Sequence, residues 1–139
     1  MESYPVELTD SEFNSLNLVC PKGEKNASIG TRALLTVRTY FRRKDPQCQI
    51  KDVRGADLQI VLCDGSVNEI EVKGTDGPDL AWNKLKVSSQ RSHDLLVEKR
   101  IPIYRVTNVW DGSPSIHVLV CGEDFTLEPE LRWAVKPIK

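Results

Sequence analysis

Two short runs with strand-like patterns, at positions 58–63 and 69–73, flank an Asp-Gly pair formed by Asp64 and Gly65. An Asp-Gly pair between two such runs is typical of the tight turn in an antiparallel hairpin. A hairpin fixes which residues oppose each other, because the numbers of paired positions add up to a constant set by the turn. The sequence therefore predicts a hairpin in which Asp57 lies opposite residue 71 or 72.

The same hairpin sorts its side chains onto two faces, because successive residues of a strand point to opposite sides of a sheet. The aliphatic residues predicted to face the core are Leu58, Ile60, Leu62, Ile70 and Val72. Glu71 and Lys73 share the other face, and Asp57 is expected opposite Glu71 with about 4.5 to 5.5 Å between their Cβ atoms. The sequence thus predicts that two carboxylates and one amine meet on one surface.

Two carboxylates that oppose each other repel, so this pairing costs stability unless a cation lies between them. Mg²⁺ binds through one or two carboxylates and keeps several waters for substrate phosphate, which it would polarise while lowering the pKa of a bound water. We interpret Asp57 and Glu71 as ligands of Mg²⁺ or Mn²⁺. Lys73 would orient or deprotonate the water, or stabilise charge on the phosphoryl oxygens. The alternative is an amphipathic hairpin whose outer face carries solvated polar groups.

The charges are segregated along the 139 residues, although the net charge is only -1. Residues 22–54 hold nine Lys or Arg against three acids, and residues 84–105 hold six against two. Residues 55–83 between them hold six acids and one Lys. Two basic flanks around an acidic centre suit a polyanion held beside a cation. The predicted phosphate contacts are Arg42, Arg43, Lys84, Lys86 and Arg91, with plain solubilising charge as the alternative.

Helical periodicity appears in two segments that flank the hairpin. Apolar residues between Ile29 and Phe41 form one stripe of an amphipathic helix, with Asn26 or Ser28 as its N-cap and a stop at residues 44–46, Lys-Asp-Pro. Ser88 or Ser89 is predicted to cap a second helix that runs to about Arg100. A strand-like piece at residues 84–87 precedes this second helix.

A second hairpin is predicted from residues 103–109 and 115–121, on either side of a Gly- and Pro-containing turn. We interpret residues 1–25 as an irregular arm or a single helix, residues 26–121 as the core, and residues 122–139 as a tail that forms a loop or covers a strand. The order of elements predicts one α/β domain over residues 1–139, with a mixed central sheet flanked by helices.

The cysteines and the apolar runs exclude several other classes of protein. Cys20, Cys48, Cys63 and Cys121 stand singly, which indicates neither a zinc site nor a disulfide framework, and we expect buried free thiols. The start of the chain lacks the pattern of a signal peptide, and its apolar runs are shorter than the roughly 20 residues that span a bilayer. We expect an intracellular protein without a membrane partner, in the cytoplasm or in a eukaryotic nucleus.

The spacing of Asp57, Glu71 and Lys73 resembles the PD-(D/E)XK, or restriction-endonuclease-like, nuclease superfamily. The resemblance covers about residues 26–121 and is most similar to the nuclease-like domain at the C-terminus of plant NO VEIN proteins. The stretches that carry it are Gly55-Ala56-Asp57-Leu58, Ile70-Glu71-Val72-Lys73-Gly74-Thr75, Val87-Ser88-Ser89-Gln90 and Ile103-Tyr104-Arg105-Val106. Ala56 replaces a proline common in that superfamily, and residues 26–43 lack the further acid that many members carry in the first helix.

The resemblance implies a restriction-endonuclease-like mixed sheet with a helix on each side and divalent-metal-dependent cleavage of DNA or RNA, with DNA favoured. It also implies that Gln90 supports the site, and that the protein works as a homodimer or as a subunit of a larger complex. The alternative function is a catalytically inactive nuclease fold that binds nucleic acid or a protein partner. A structural domain with an adventitious triplet is a third interpretation.

Two aromatic side chains beside loops, Trp82 and Trp110, can be interpreted in two ways. Either ring could stack on a base of a nucleic acid, or it packs against a helix. His117 lies in the alternating pattern of the second hairpin and is interpreted as structural.

Overall fold

The Asp64-Gly65 turn closes the predicted hairpin in the computed structural model, which describes residues 1–53 and 56–138. Gly65 has a φ of 90°, a left-handed conformation that glycine adopts without the steric cost other residues meet. The Asp64 carboxylate accepts a hydrogen bond from the backbone N–H of Ser66 at 2.8 Å, which locks the turn. Leu58 pairs with Ile70 across the two strands, so the register is the one that the turn predicts.

In the described residues, the order of elements is β1 (Glu2–Pro5), α1 (Asp10–Val19), α2 (Asn26–Lys44), β2 (Gln49–Asp52), β3 (Leu58–Val61), β4 (Val67–Gly74), a 3₁₀ turn (Trp82–Lys84), α3 (Gln90–Val97), β5 (Ile103–Thr107) and β6 (Ser115–Leu119). The strands form one mixed sheet in the order β1-β6-β5-β4-β3-β2. β4 and β5 run parallel, and the other neighbours run antiparallel. A parallel pair needs a long crossover, and α3 provides it. The predicted α/β class with a mixed central sheet flanked by helices is confirmed.

One face of the sheet is covered by α2. Ala33 and Val37 lie one turn apart on the helix and pack with Ile70 of β4 and Val106 of β5 in a single apolar cluster. Gly74 allows the helix to approach β4, because a Cβ atom at that position would lie 2.7 Å from the Cβ of Ala33. The predicted amphipathic stripe is therefore the surface that attaches α2 to the sheet. We call this side the α2 face.

The opposite side of the sheet is covered by the shorter helix α3, and we call it the α3 face. Leu96 of α3 packs against Ile103 of β5 and Leu119 of β6, which pair with each other across the two strands. Phe125 and Leu127 from the segment after β6 add to this cluster. The tail was expected to form a loop or to cover a strand; these two residues pack over β5 and β6, whereas the later part of the tail is exposed up to Ile138. Lys139 lies outside the described residues.

The N-terminal segment, expected to be an irregular arm or a single helix, forms one helix and, in addition, a strand. Residues 2–5 join the sheet beside β6, and residues 10–19 form a helix with a capping box made by Thr9 and Glu12. The fully buried Arg32 of α2 holds this segment in place. Its guanidinium donates to Asn17 Oδ1 at 2.8 Å and lies 5.6 Å from the Phe13 ring and 5.5 Å from the Trp110 ring. Edge strands and such long-range contacts leave little trace in local sequence.

Several predicted boundaries are wrong by a few residues. Lys25 is the N-cap of α2, so the expected caps Asn26 and Ser28 lie inside the helix, which is stabilised by packing more than by capping. The predicted strand-like piece at residues 84–87 stays outside the sheet, because β4 pairs directly with β5. The helix expected to reach Arg100 ends at Val97, and Ser89 is its N-cap, as predicted.

Two of the four cysteines match the buried thiols that the sequence predicts. Cys20 and Cys48 are buried free thiols, as predicted, whereas Cys121 is partly buried and Cys63 is exposed. Cys63 lies two residues after the end of β3, next to the Asp64-Gly65 turn, where the chain is exposed. None of the helices in the described part of the chain combines the length and the apolar character that crossing a bilayer requires.

Candidate active site

β4 directs Glu71 and Lys73 onto the α3 face. Ile70 and Val72 of this strand pack into the cluster under α2, and the alternation of a strand sends the residues between them to the opposite side. Glu71 pairs with Ile103 and Lys73 pairs with Arg105 on the neighbouring strand β5. Both Glu71 and Lys73 are half-buried. The apolar packing under α2 therefore fixes the direction in which the polar pair points.

Asp57, the residue just before β3, lies near Glu71 on the same face of the sheet. Its backbone N–H donates at 3.1 Å to the carbonyl of Ile70, the residue that pairs with Leu58, and this bond attaches Asp57 to β4 at the end of the hairpin. Its side chain is also tied to β4, because Asp57 Oδ2 accepts a hydrogen bond from the backbone N–H of Val72 at 2.6 Å. Gly55, two residues earlier in the quoted motif, lies outside the described residues. The structure brings together the three residues that the sequence analysis grouped.

The electrostatics of Glu71 reflect this grouping. Burial raises the pKa of its carboxyl group, and the Asp57 carboxylate raises it further, while Lys73 and the Ser92 hydroxyl act in the opposite direction. A half-buried carboxylate beside a second one is an unfavourable arrangement for two negative charges. One ammonium group offsets part of that repulsion. A divalent cation between the two carboxylates would offset the rest.

The donor set of this site is small. In the described ranges, no cluster of three or more His, Cys, Asp or Glu side chains converges on one point. Two carboxylates are nevertheless a sufficient protein contribution for Mg²⁺, which usually keeps several waters and takes further oxygens from substrate phosphate. Asp57 and Glu71 therefore fit the chemistry of a magnesium site whose coordination is completed by substrate.

Ser92 is a site residue that the sequence analysis missed. It lies in the first turn of α3, where its backbone N–H donates to the Ser89 hydroxyl at 3.1 Å, and its own hydroxyl acts on Glu71. The predicted supporting residue Gln90 is exposed, and its amide donates to Asp94 Oδ1 at 2.8 Å within α3. Which residue of the first turn faces the sheet depends on the rotation of α3. The capping serine alone does not fix that rotation.

The predicted phosphate contacts divide between the two sides of the sheet. Lys86 lines a cavity together with Lys73, Lys84 ends the preceding 3₁₀ turn, and Arg91 is exposed in the first turn of α3. Arg42 and Arg43 lie in the last turn of α2, the helix that covers the other face. The structure therefore places three of the five basic residues on elements of the α3 face.

Two of these basic side chains already have acidic partners. Arg43 forms an ion pair with Glu12 and also donates to the carbonyl of Glu7 at 2.6 Å, which attaches α1 to α2. Lys86 pairs with Glu130 of the tail, and both side chains of that pair are exposed. Exposed ion pairs are weak and exchange readily. Arg43 thus has a structural contact, whereas Lys86 can change partners.

Further along the α3 face, polar residues tie the strands together. His117 Nδ1 lies 2.8 Å from Ser3 Oγ of β1, and its Nε2 lies 3.1 Å from Thr107 Oγ1 of β5. Burial lowers the pKa of His117, and the nearby Arg105 lowers it further. An imidazole that lies between two hydroxyl groups and links three strands has a structural role, as predicted.

The two tryptophans beside loops have different environments. Trp110 packs into the cluster under α2 and against Arg32, so the packing interpretation is correct for this residue. Trp82 is 49% exposed and lines the cavity that also contains Lys73. Only the second ring is presented to solvent beside the candidate site.

Comparison of the chain with protein-family models, with curated proteins and with solved structures finds no match. The geometry of the α3 face and the resemblance of its motif therefore carry the functional argument.

Proposed function

We propose that this chain is a metal-dependent nuclease of the PD-(D/E)XK type, which hydrolyses phosphodiester bonds of nucleic acid. The observation that carries the proposal is the convergence of three side chains beside β4, where Asp57 Oδ2 accepts a hydrogen bond from the Val72 N–H at 2.6 Å and the charges of Asp57 and Lys73 both act on Glu71. Further support comes from the mixed sheet with helices on both sides, which agrees with the fold that the resemblance implies.

The residues of the site have separate roles in the proposed reaction. A bound Mg²⁺ or Mn²⁺ would supply Lewis-acid polarisation of the scissile phosphate. Asp57 and Glu71 would hold the ion, with the Val72 N–H orienting the Asp57 carboxylate and Ser92 orienting Glu71. Second contacts of this kind position metal ligands and strengthen binding.

Lys73 would act on the reacting atoms rather than on the ion. Its ammonium group can orient the attacking water, or stabilise the charge that develops on the phosphoryl oxygens in the transition state. Lys73 pairs with Arg105 on the neighbouring strand β5, and the Arg105 guanidinium donates to the carbonyls of Leu80 and Gly74 at 2.8 and 3.0 Å. Because Arg105 is engaged by these carbonyls, Lys73 rather than Arg105 would face the substrate.

Cleavage assays test the proposal directly. With Mn²⁺ or Mg²⁺, the wild-type protein is expected to nick supercoiled DNA or to cut an RNA oligonucleotide. Lys73→Ala should lower the rate by about 10² to 10⁴-fold, the usual contribution of a positioned proton-transfer group. Lys22→Ala is the matched control, because Lys22 is an exposed lysine in the α1–α2 connection and should keep full activity. If neither DNA nor RNA is cleaved with Mn²⁺ or with Mg²⁺, the proposed nuclease function is rejected.

One observation favours the alternative of an inactive fold that binds nucleic acid or a protein partner. The site offers two carboxylates, and residues 26–43 lack the further acid that many members of the superfamily carry in the first helix, so a second metal ion would be held weakly. For this alternative we expect nucleic-acid binding that is unchanged by Mn²⁺ and by Glu71→Gln. Binding isotherms of labelled DNA, measured with and without the metal, separate the two functions.

A further inference from the structure

A cavity of about 130 Å³ opens on the α3 face beside Lys73. Apolar side chains form most of its wall, among them Leu85, Leu119, Phe125 and Leu127, and the exposed ring of Trp82 lies at its edge. Lys73 and Lys86 add two ammonium groups to the lining. The cavity therefore combines a mostly apolar wall, an exposed aromatic ring and two ammonium groups.

The size of the cavity limits what it can hold. Ligand pockets for drug-sized molecules usually have about 300 to 1,000 Å³. A dry cavity of about 150 Å³ holds a single benzene ring. The cavity on the α3 face therefore admits no more than one small ring, and a sugar and a phosphate attached to such a ring would remain outside.

The walls are held in place before any ligand arrives. Arg105 is 2% exposed and donates to the carbonyls of Leu80 and Ala81, at 2.8 and 3.4 Å, directly before Trp82. Ala81 has a φ of 52°, a left-handed conformation that is uncommon outside glycine and is often retained at functional sites. On the other side, Phe125 is fixed by a hydrogen bond from the Gly122 N–H to its carbonyl at 2.8 Å.

From these contacts we infer that the cavity takes one unpaired nucleobase of pyrimidine size from the substrate strand, next to the phosphate at Lys73. The inference rests on the proposed nuclease function and names its substrate as a strand with an unpaired nucleotide. The base would stack beside Trp82 and Phe125, as bases do on aromatic side chains of single-strand binding proteins. Lys86 would exchange its exposed contact with Glu130 for a phosphate of the same strand.

Binding of three labelled DNA oligonucleotides without divalent metal tests the inference. The first is a duplex, the second carries one bulged thymine, and the third carries an abasic site at the bulge. The bulged thymine should bind tightest, and loss of its base should weaken binding by roughly 5- to 150-fold, the effect of one stacked base. Equal binding of the thymine and abasic bulges, or no binding to any of the three, would overturn the inference.

Substitution of two exposed tryptophans tests whether the ring of Trp82 is the one that stacks on the base. Trp82→Ala should remove the difference between the thymine and abasic bulges, while Trp82→Phe should keep most of it because the aromatic face remains. Trp133→Ala is the matched control, since Trp133 is 84% exposed in the tail and should keep the full difference. If Trp82→Ala behaves like Trp133→Ala, with an unchanged melting temperature, the cavity is not the binding site.

The outcomes of this test and of the cleavage assay are independent. Base-dependent binding without any cleavage in Mn²⁺ would support the cavity as a base-binding site and contradict the nuclease function. Cleavage that is equally fast at thymine and abasic bulges would support the nuclease function and contradict base binding in the cavity.

Discussion

The two faces of the sheet are built from the same strands but are filled in different ways. On the α2 face, a helix of 19 residues packs on fully buried aliphatic residues such as Leu58 and Ile60. On the α3 face, a helix of 8 residues leaves the carboxylate of Glu71 and the amine of Lys73 half-buried. We expect the packing under α2 to contribute more stability than the packing under α3, because the short α3 leaves room for charged groups whose burial is unfavourable.

Truncation of a residue on the α2 face should give the largest effect on stability. Ile70 is 1% exposed at the centre of the cluster under α2. Ile70→Ala should lower the free energy of unfolding by about 2 to 5 kcal/mol, through lost burial and the cavity that remains. Val67→Ala on the same strand is the control, because Val67 is 55% exposed and should change stability little. Equal effects in urea unfolding would contradict the distinction between the two faces.

Removal of the buried guanidinium on the α3 face should have the next largest effect. Arg105→Met leaves the carbonyls of Gly74, Leu80 and Ala81 without their donor, and we expect a loss of about 1.5 to 3 kcal/mol. Arg91→Met, at an exposed position of α3, should stay within about 0.5 kcal/mol. Thermal unfolding measures both losses, and an unperturbed Arg105→Met would show that the loop before Trp82 needs no such anchor.

The close approach of α2 to β4 can be tested by adding one methyl group. Gly74→Ala would place a Cβ atom 2.7 Å from the Cβ of Ala33 and 3.0 Å from the carbonyl oxygen of Ile29. Relief of that overlap needs a shift of the helix, and we expect a loss of about 1 to 3 kcal/mol. Among the described residues, nothing lies within 4 Å of a Cβ atom built on Gly30 of the same helix. Gly30→Ala should therefore stabilise the protein, by up to about 1 kcal/mol. If Gly74→Ala stabilised the protein as well, the close approach of α2 to β4 would be contradicted.

The smallest expected effect concerns the charge of Glu71. Burial raises its pKa in the folded protein above the ordinary value of 4.5, so the native state holds the proton more tightly than the unfolded chain. The free energy of unfolding consequently falls as pH rises from 4.5 through the raised pKa. In the absence of metal, Glu71→Gln should be slightly more stable than the wild type at pH above that range, by no more than about 1 kcal/mol.

The pH dependence of the melting temperature measures this difference. The gain of Glu71→Gln should shrink as pH falls through the raised pKa and vanish below 4.5, where the wild-type carboxyl group becomes protonated in the unfolded chain as well. Glu69→Gln is the matched control, since Glu69 is an exposed residue of the same strand. A Glu71→Gln variant that is less stable than the wild type at every pH would show that the carboxylate is held by favourable contacts.

The parts of the fold that the sequence predicted are those with local causes. The Asp64-Gly65 turn fixed the register of β3 and β4, and the apolar spacing of α2 identified its buried stripe. The strands β1 and β2 were missed, because β1 includes a proline and pairs with residues more than a hundred positions away. β2 has four residues, three of them exposed, and therefore lacks the alternation that marks a strand.

The same distinction applies to the site. Asp57, Glu71 and Lys73 were grouped correctly because one turn and one strand place all three. Ser92 was missed, because its contact depends on how α3 rotates against the sheet. Arg43 was predicted to contact phosphate, yet the structure pairs it with Glu12, which is 31 positions away in the chain. Pairing of charges across such distances follows from the packing of helices rather than from local sequence.

Titration with Mn²⁺, followed by calorimetry at neutral pH, tests most directly whether the α3 face holds a catalytic cation. We predict saturable binding by the wild type and by Glu69→Gln, with a stabilisation of about 2.7 kcal/mol at a hundredfold excess over Kd. Glu71→Gln should weaken binding by at least about tenfold. Absence of binding to the wild type, or equal binding to wild type and Glu71→Gln, would contradict the proposed site.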